Sequence, residues 1–241
     1  MYPLIRNRRL RSSEAIRNMV RETIISPSDF LVPLFVVEGK GIKEEISSMP
    51  NYYRLSLDNL TKEVKELWEM GLHSVLLFVK VPDNLKDNSG SEALNENGLM
   101  QLAIKTVKNA CPDMLVMTDV ALDPYSSYGH DGIVANGQIL NDESVEVLAE
   151  MSISHAKAGA DFVAPSDMMD GRILSIREAL ADEGYLNTGI MAYSAKYASA
   201  FYGPFRDALD SAPVAIKNVP KDKNTYQMDF ANRFEAIRET Q

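Results

Sequence analysis

Two hydrophobic rhythms alternate along the chain. Short, nearly continuous apolar runs lie at residues 30–38 (FLVPLFVVE), 74–81 (SVLLFVKV), 114–122 (MLVMTDVAL), 161–166 (DFVAPS) and 189–195 (GIMAYSA), and each fits a buried strand. Between them run segments of helical spacing. In residues 57–71 the apolar positions are Leu60, Val64, Leu67 and Trp68, and Gly71 is a suitable C-cap. Residues 93–110, 142–160 and 171–184 read as further helices, and the acidic start of the 142–160 segment suits the positive end of a helix dipole. Continuous apolar strands alternating with helices predict a parallel sheet covered by helices, an α/β architecture. The units are short and regular, and no glycine-rich nucleotide fingerprint follows the first strand, which favours a TIM (β/α)8-type barrel over an open doubly wound sheet. Residues 225–230 (TYQMDF) form a weaker sixth strand, followed by a helical pattern to the end. The expectation is therefore an incomplete barrel with about six of the eight strands such a fold requires.

Charge modifies this picture at one place. The formal net charge of −9 makes a nucleic-acid partner a poor fit, because such binding rests on neutralising phosphates. Residues 1–21 nevertheless hold six arginines (6, 8, 9, 11, 17 and 21) against one acid, Glu14. Such a start reads either as a transit peptide or as an arm that pairs with an acidic surface of another subunit. No apolar run approaches the ~18 residues of a membrane span. With one cysteine, Cys111, no internal disulfide can form, and a cytoplasmic location is expected.

Polar chemistry gathers at the C-terminal ends of the strands, where barrel active sites lie. The third strand ends in Asp119 and Asp123, and its loop adds Tyr128, His130 and Asp131. The fourth ends in Ser166, Asp167 and Asp170, and the fifth in Ser194 and Lys196, followed by Tyr197, Tyr202 and Arg206. A lysine there can attack a carbonyl and form a Schiff base. At an ordinary pKa only ~0.04% of it is free amine at neutral pH, so a nucleophile needs roughly 4–5 kcal/mol of ammonium destabilisation. Apolar walls provide that by desolvation, and Ala192, Ala195, Ala198 and Phe201 are the candidates. The plainer alternatives are a snorkelling surface lysine and a solvated acidic turn. His73 and His155 read as helix-end or surface residues, and Cys111 as a small buried or loop residue.

At this point SAKYASAFYGPFRDAL resembles the active-lysine segment of the porphobilinogen synthase (5-aminolevulinate dehydratase) family. RNRRLRSSEAIRNMVRETIISPSDFLVPLFVVEG, TDVALDPYSSYGHDGIV, APSDMMDGR and TYQMDFANRFEAIRE resemble further family segments in order and spacing, from about residue 3 to the end. The resemblance implies a barrel domain at 29–241 preceded by an arm at 1–28 that wraps a neighbouring subunit, commonly in a homo-octamer. It also implies condensation of two 5-aminolevulinate molecules to porphobilinogen in tetrapyrrole and haem synthesis. By match, Lys196 carries the Schiff base, with Asp119, Ser166 and Asp170 near the reacting groups. Arg206, Lys223 and Gln227 match the residues that hold a substrate carboxylate, and Tyr202 joins them as a substrate contact.

Where zinc-dependent members carry three cysteines, this chain has Ala121, Asp123 and Asp131. Carboxylates suit magnesium, so the resemblance is to the aspartate-rich, magnesium-responsive class, with Asp123 and Asp131 as an active-site cation pair and Glu239 as the allosteric magnesium residue. The family continues through two further strands that carry a second Schiff-base lysine, which Lys217, Lys221 and Lys223 do not replace in position. The expectation is thus a C-terminally truncated enzyme with little activity on its own. The alternatives are a Schiff-base aldolase on the same fold and a non-catalytic assembly partner of full-length subunits.

Overall fold

The computed structural model describes residues 4–241; residues 1–3, the start of the expected arm, lie outside the described residues. The arm segment holds a short 3-10 helix (Asn7–Arg11) and then a short α-helix, α1 (Glu14–Met19), capped by the Ser13 hydroxyl. Beyond it, β1 (Val32–Val37), β2 (Lys43–Glu45), β3 (Tyr53–Leu55), α2 (Leu57–Glu69), β4 (Ser74–Lys80), α3 (Leu99–Ala110) and β5 (Leu115–Val120) follow in order. A hairpin of β6 (Ile133–Ala135) and β7 (Gln138–Leu140) then leads into α4 (Asn141–Ala158), β8 (Phe162–Pro165), α5 (Arg172–Asp182), β9 (Gly189–Ile190), α6 (Gly203–Leu209) and α7 (Arg233–Thr240).

The main sheet has the order β2-β3-β1-β4-β5-β8-β9. Its five predicted strands are neighbours in chain order and all parallel. An order that never reverses has no switch point, which is the winding of a barrel rather than of a doubly wound sheet. Among the described residues the sheet does not close on itself.

Side-chain alternation along the strands creates two cores. Leu34 and Val36 of β1, Val75, Leu77 and Val79 of β4, Val116 and Val120 of β5 and Val163 of β8 pack towards the helices. The alternate residues Phe35, Leu76, Phe78, Met117 and Ala164 face the concave side, where Leu209 of α6 joins them. The parity of a strand position therefore decides whether its side chain reaches the concave interior.

Several expectations need correction. The strand expected at 189–195 is only two residues long, because Pro165 on β8 has no N–H to give to the Met191 carbonyl, although Met191 and Tyr193 still donate to Val163 and Pro165. The strand expected at 225–230 reduces to one parallel bridge, Tyr197 to Met228. The helix expected at 93–110 is broken, since Asn95 turns the chain by accepting from the Asn97 N–H and α3 starts only after Gly98. His155 lies in the last turn of α4, the helix end that is one of its two expected places, but it is not at the surface: it is wholly buried, with Nδ1 against Thr118 Oγ1 at 3.0 Å, and burial lowers its pKa to about 3. The β6–β7 hairpin had a readable signal in Asn136-Gly137, whose positive φ values of 52° and 79° suit the primed turn that joins two strands.

Candidate active site

Lys196 lies at the mouth of the concave face, six residues beyond the end of β9. Gly189 makes the start of this segment possible, because a Cβ there would stand 2.2 Å from the Phe162 ring. Lys196 Nζ donates to the Ser166 carbonyl at 2.6 Å, and Ser166 Oγ donates to Asp119 Oδ1 at 2.7 Å. Asp119 and Ser166 both have the inward parity, two residues beyond Met117 and Ala164 on adjacent strands.

These groups open onto a cavity at the concave face. Its apolar walls are Phe78, Phe205 and Leu209 with the rings of Tyr193 and Tyr202, rather than the residues expected from the local sequence. Phe201 is 93% exposed and does not line it. Phe78 packs on Phe35 at 5.3 Å and against Phe205 at 5.4 Å, so the wall is a rigid aromatic cluster. The amine of Lys196 lies 5.3 Å from the Tyr202 ring centroid. Phe78, Phe205 and Tyr193 were missed in the sequence, though inward parity on β4 marks Phe78.

Burial raises the Asp119 carboxyl to about 7, helped by the charge of Asp123 and opposed by Lys196. A carboxyl at that value can both give and take a proton near neutrality. It also sets a sign for stability. A carboxyl raised in the folded state favours folding at acid pH and loses that contribution as pH climbs from its unfolded value to about 7. Asp119→Asn is therefore expected to be more stable than the parent at about pH 8, by on the order of a few kcal/mol, with a flatter dependence between the two values. Urea unfolding at several pH values checks this, and an unchanged slope would contradict it.

Deeper in the cavity, Lys223 Nζ bridges two carboxylates, 3.1 Å from both Asp123 Oδ2 and Asp131 Oδ2. All three residues are buried. One ammonium faces two acids. Burial alone would raise Asp131, but the charges of Lys223 and Lys196, with hydrogen bonds from Tyr226 and Lys223, together outweigh it and hold Asp131 below the usual carboxylate value. Burial keeps Asp123 raised. Gly129 lets this loop lie close under the later segment, since a Cβ there would stand 2.2 Å from the Ala212 carbonyl oxygen. The His130 imidazole lies between the Pro220 carbonyl, 2.9 Å from Nε2, and the Tyr226 hydroxyl, 3.1 Å from Nδ1, tying the segment down.

Arg206 of α6 lines the cavity, and its guanidinium has no hydrogen bond or ion pair among the described residues. Gln227 lines the same cavity, with a buried Oε1 that also lacks a hydrogen-bond partner among the described residues. Asp170 is elsewhere. It is exposed, exchanges hydrogen bonds with Asn141, and lines a separate polar cleft together with Glu235 and Glu239 of α7. The structure thus brings together Lys196, Asp119, Ser166, Tyr202, Arg206, Lys223, Gln227 and Asp123, with Asp131 behind Lys223, and leaves Asp170 and Glu239 outside.

Chemically, the cavity offers an amine on an apolar aromatic wall, a proton-transfer pair beside it, and an unpaired guanidinium. Such a set suits a small molecule with a carbonyl and a carboxylate. Residues 4–241 match the family model of Delta-aminolevulinic acid dehydratase. The delta-aminolevulinic acid dehydratase of Bacillus subtilis (strain 168) is 51% identical over 236 residues, covering 98% of this chain and 71% of the relative. The chloroplastic one of Chlamydomonas reinhardtii is 52% identical, covering 97% of this chain and 61% of the relative. The crystal structure of the Toxoplasma gondii ME49 delta-aminolevulinic acid dehydratase, in complex with the reaction product porphobilinogen, superposes with a TM-score of 0.92 at 50% identity, covering 98% of this chain and 66% of that one.

Proposed function

The chain belongs to the delta-aminolevulinic acid dehydratase family, and we propose that its Lys196 captures one 5-aminolevulinate in the family's condensation of two such molecules to porphobilinogen, a lyase step of tetrapyrrole and haem synthesis. The observation that carries this reading is the meeting, in one aromatic-walled cavity, of the Lys196 amine, the Ser166–Asp119 pair and the unpaired Arg206 guanidinium. In the proposed step the amine adds to the substrate ketone, the carbonyl oxygen takes up two protons and leaves as water, and an imine remains. Asp119, raised to about 7, returns protons through the Ser166 hydroxyl. Arg206 and Gln227 receive a substrate carboxylate by charge-assisted hydrogen bonds. Lys223 joins them only by leaving Asp123 and Asp131, which it bridges in this structure. The test is sodium borohydride reduction in the presence of 5-aminolevulinate, with the adduct located by peptide mass spectrometry. An adduct on Lys196 is expected, and an intact, folded chain without one would refute the reading.

The family is metal-dependent, using zinc or magnesium. Among the described residues no three His, Cys, Asp or Glu side chains come together as a metal-holding group. Lys223 fills the space between Asp123 and Asp131, so the residues as arranged do not form a cation cage and no step here passes through one. We propose magnesium rather than zinc because the donors on offer are carboxylates, and place it in the open cleft of Glu239 rather than at the aspartate pair. We also propose a homo-octamer in which the arm, residues 1–28, covers a second copy while residues 29–241 form the barrel domain. Leu4, Ile5, Leu10, Ile24 and Ile25 are all exposed on the arm, an unusual cost for a free chain. No helix among the described residues is long and apolar enough to cross a membrane. A reducing compartment, the cytoplasm first, is proposed for a chain whose one cysteine is buried and free. Sedimentation reads metal and assembly together: octamer is expected in magnesium and smaller species after chelation, whereas a monomer under both conditions would overturn the assembly proposal.

A further inference from the structure

Arg172 breaks a local rule. It is the first residue of α5, at the positive end of the helix dipole, where acids are favoured and cations are not. It is also buried, 6% exposed. A cation in such a place persists only if specific partners compensate for it. Its Nη1 donates to the Met169 carbonyl at 3.0 Å, its Nη2 to the Tyr193 carbonyl at 2.8 Å, and its Nε stands 3.4 Å from Asp167 Oδ2. Asp167 is itself fully buried, and its other oxygen accepts from the Met169 N–H at 2.7 Å. Between them, Met168 is held at a φ of 71°, a left-handed backbone that a non-glycine residue keeps only when its surroundings enforce it.

The Tyr193 carbonyl is the informative partner. The pairing of the segment after β9 with β8 runs out here, because Pro165 cannot donate and the last ladder bond is Tyr193 N–H to Pro165 O at 3.0 Å. Three residues later comes Lys196, whose amine must meet the Ser166 carbonyl on the loop after β8. The guanidinium of Arg172 is the donor that holds the two loops together where the backbone ladder has none left.

We propose that Arg172 is a positioning residue for Lys196: by bridging Met169 and Tyr193 it fixes the lysine-bearing segment against the end of β8, so that the amine is presented to the Ser166–Asp119 pair. This rests on the reading of Lys196 as the substrate-capturing amine. Lysine cannot replace the fork, since one ammonium does not reach two carbonyls in fixed geometry. Displacing a reacting atom by about 1 Å costs on the order of 10²-fold in rate.

The test uses Arg172→Lys, Arg172→Gln and Arg172→Met in the full chain, each compared with the parent by unfolding. Two readouts are taken on each folded variant. One is the rate of borohydride-trapped 5-aminolevulinate adduct at Lys196. The other is competitive acetylation of Lys196 against pH, read by peptide mass spectrometry, which needs no substrate. Arg172→Lys and Arg172→Met are expected to trap on the order of 10²-fold more slowly and to move the pH profile of acetylation, with Arg172→Gln recovering part of the rate through its amide N–H donors. If the parent itself traps no substrate, the reading of Lys196 fails, and the acetylation profiles still decide the role of Arg172. Folded variants with parental rate and profile would overturn the proposal. So would a series in which none folds, which would make Arg172 a residue of stability alone.

Discussion

Lys196→Met is expected to abolish the borohydride-trapped adduct while leaving the chain folded. Among the described residues the amine makes one hydrogen bond, to the Ser166 carbonyl, and no carboxylate ion pair. Losing that bond costs about 1 kcal/mol, and methionine restores an unbranched apolar stem against Tyr193 and Tyr202. What disappears is the proposed nucleophile, and with it the expected imine and any reduced product. Lys196→Arg sharpens the point, because it keeps a cation near the Ser166 carbonyl but offers no amine that condenses with a ketone at neutral pH. Peptide mass spectrometry of both variants after reduction checks this. An undiminished adduct would move the chemistry to another amine, and Lys223 is the other lysine that lines the cavity.

Lys223→Met should be the most destabilising single change at the site, by about 3–5 kcal/mol, because it leaves two buried carboxylates without their cation. Nothing else among the described residues forms an ion pair with Asp123 or Asp131. The contribution of Asp131 to the pH dependence should also change sign, while Asp123 is raised already in the parent. In the parent, the lowered Asp131 contributes stability that is present above its unfolded value and lost as pH falls through the folded one. Lys223 is raised, since the two aspartates outweigh its burial, and its contribution is fully present below its unfolded value and lost as pH rises through the folded one. In the variant both acids face burial and each other, so both are raised and the fold is favoured as they protonate. The deficit relative to the parent should be large at about pH 8 and small near pH 4. Urea denaturation at the two values measures it; an equal deficit at both would mean that lost packing, not charge, is responsible.

Much of this protein was legible without coordinates. The apolar runs found β1, β4, β5 and β8 because a strand buried on both faces must be apolar throughout. The helical spacing found α2, α4 and α5 because one stripe must face the sheet. Short strands escaped for a related reason: β2 (KEE) and β3 (YRL) are three residues each, too brief for a pattern, and are held by pairing with neighbours. The ends of β9 and of the expected sixth strand depended on a partner's chemistry. Pro165 withholds one hydrogen bond from its neighbour, and no pattern within residues 189–195 records that.

The residue types of the site were set by the sequence: an amine, acids, a hydroxyl and a guanidinium at strand ends and in the loops beyond them. Their company was decided by the fold. Asp119 and Ser166 meet because two neighbouring strands are in register and share a parity. Lys223 is separated from Asp123 by 100 positions, yet the closing segment lays it between two carboxylates. Asp170 is four residues from Ser166 and still faces a different cleft, because Met168 turns the loop through a left-handed backbone and Arg172 fastens it there. Chemistry is a property of side chains and can be read in order. Which charges neutralise one another depends on distances of about 3–4 Å, and those are set by register, turn and burial.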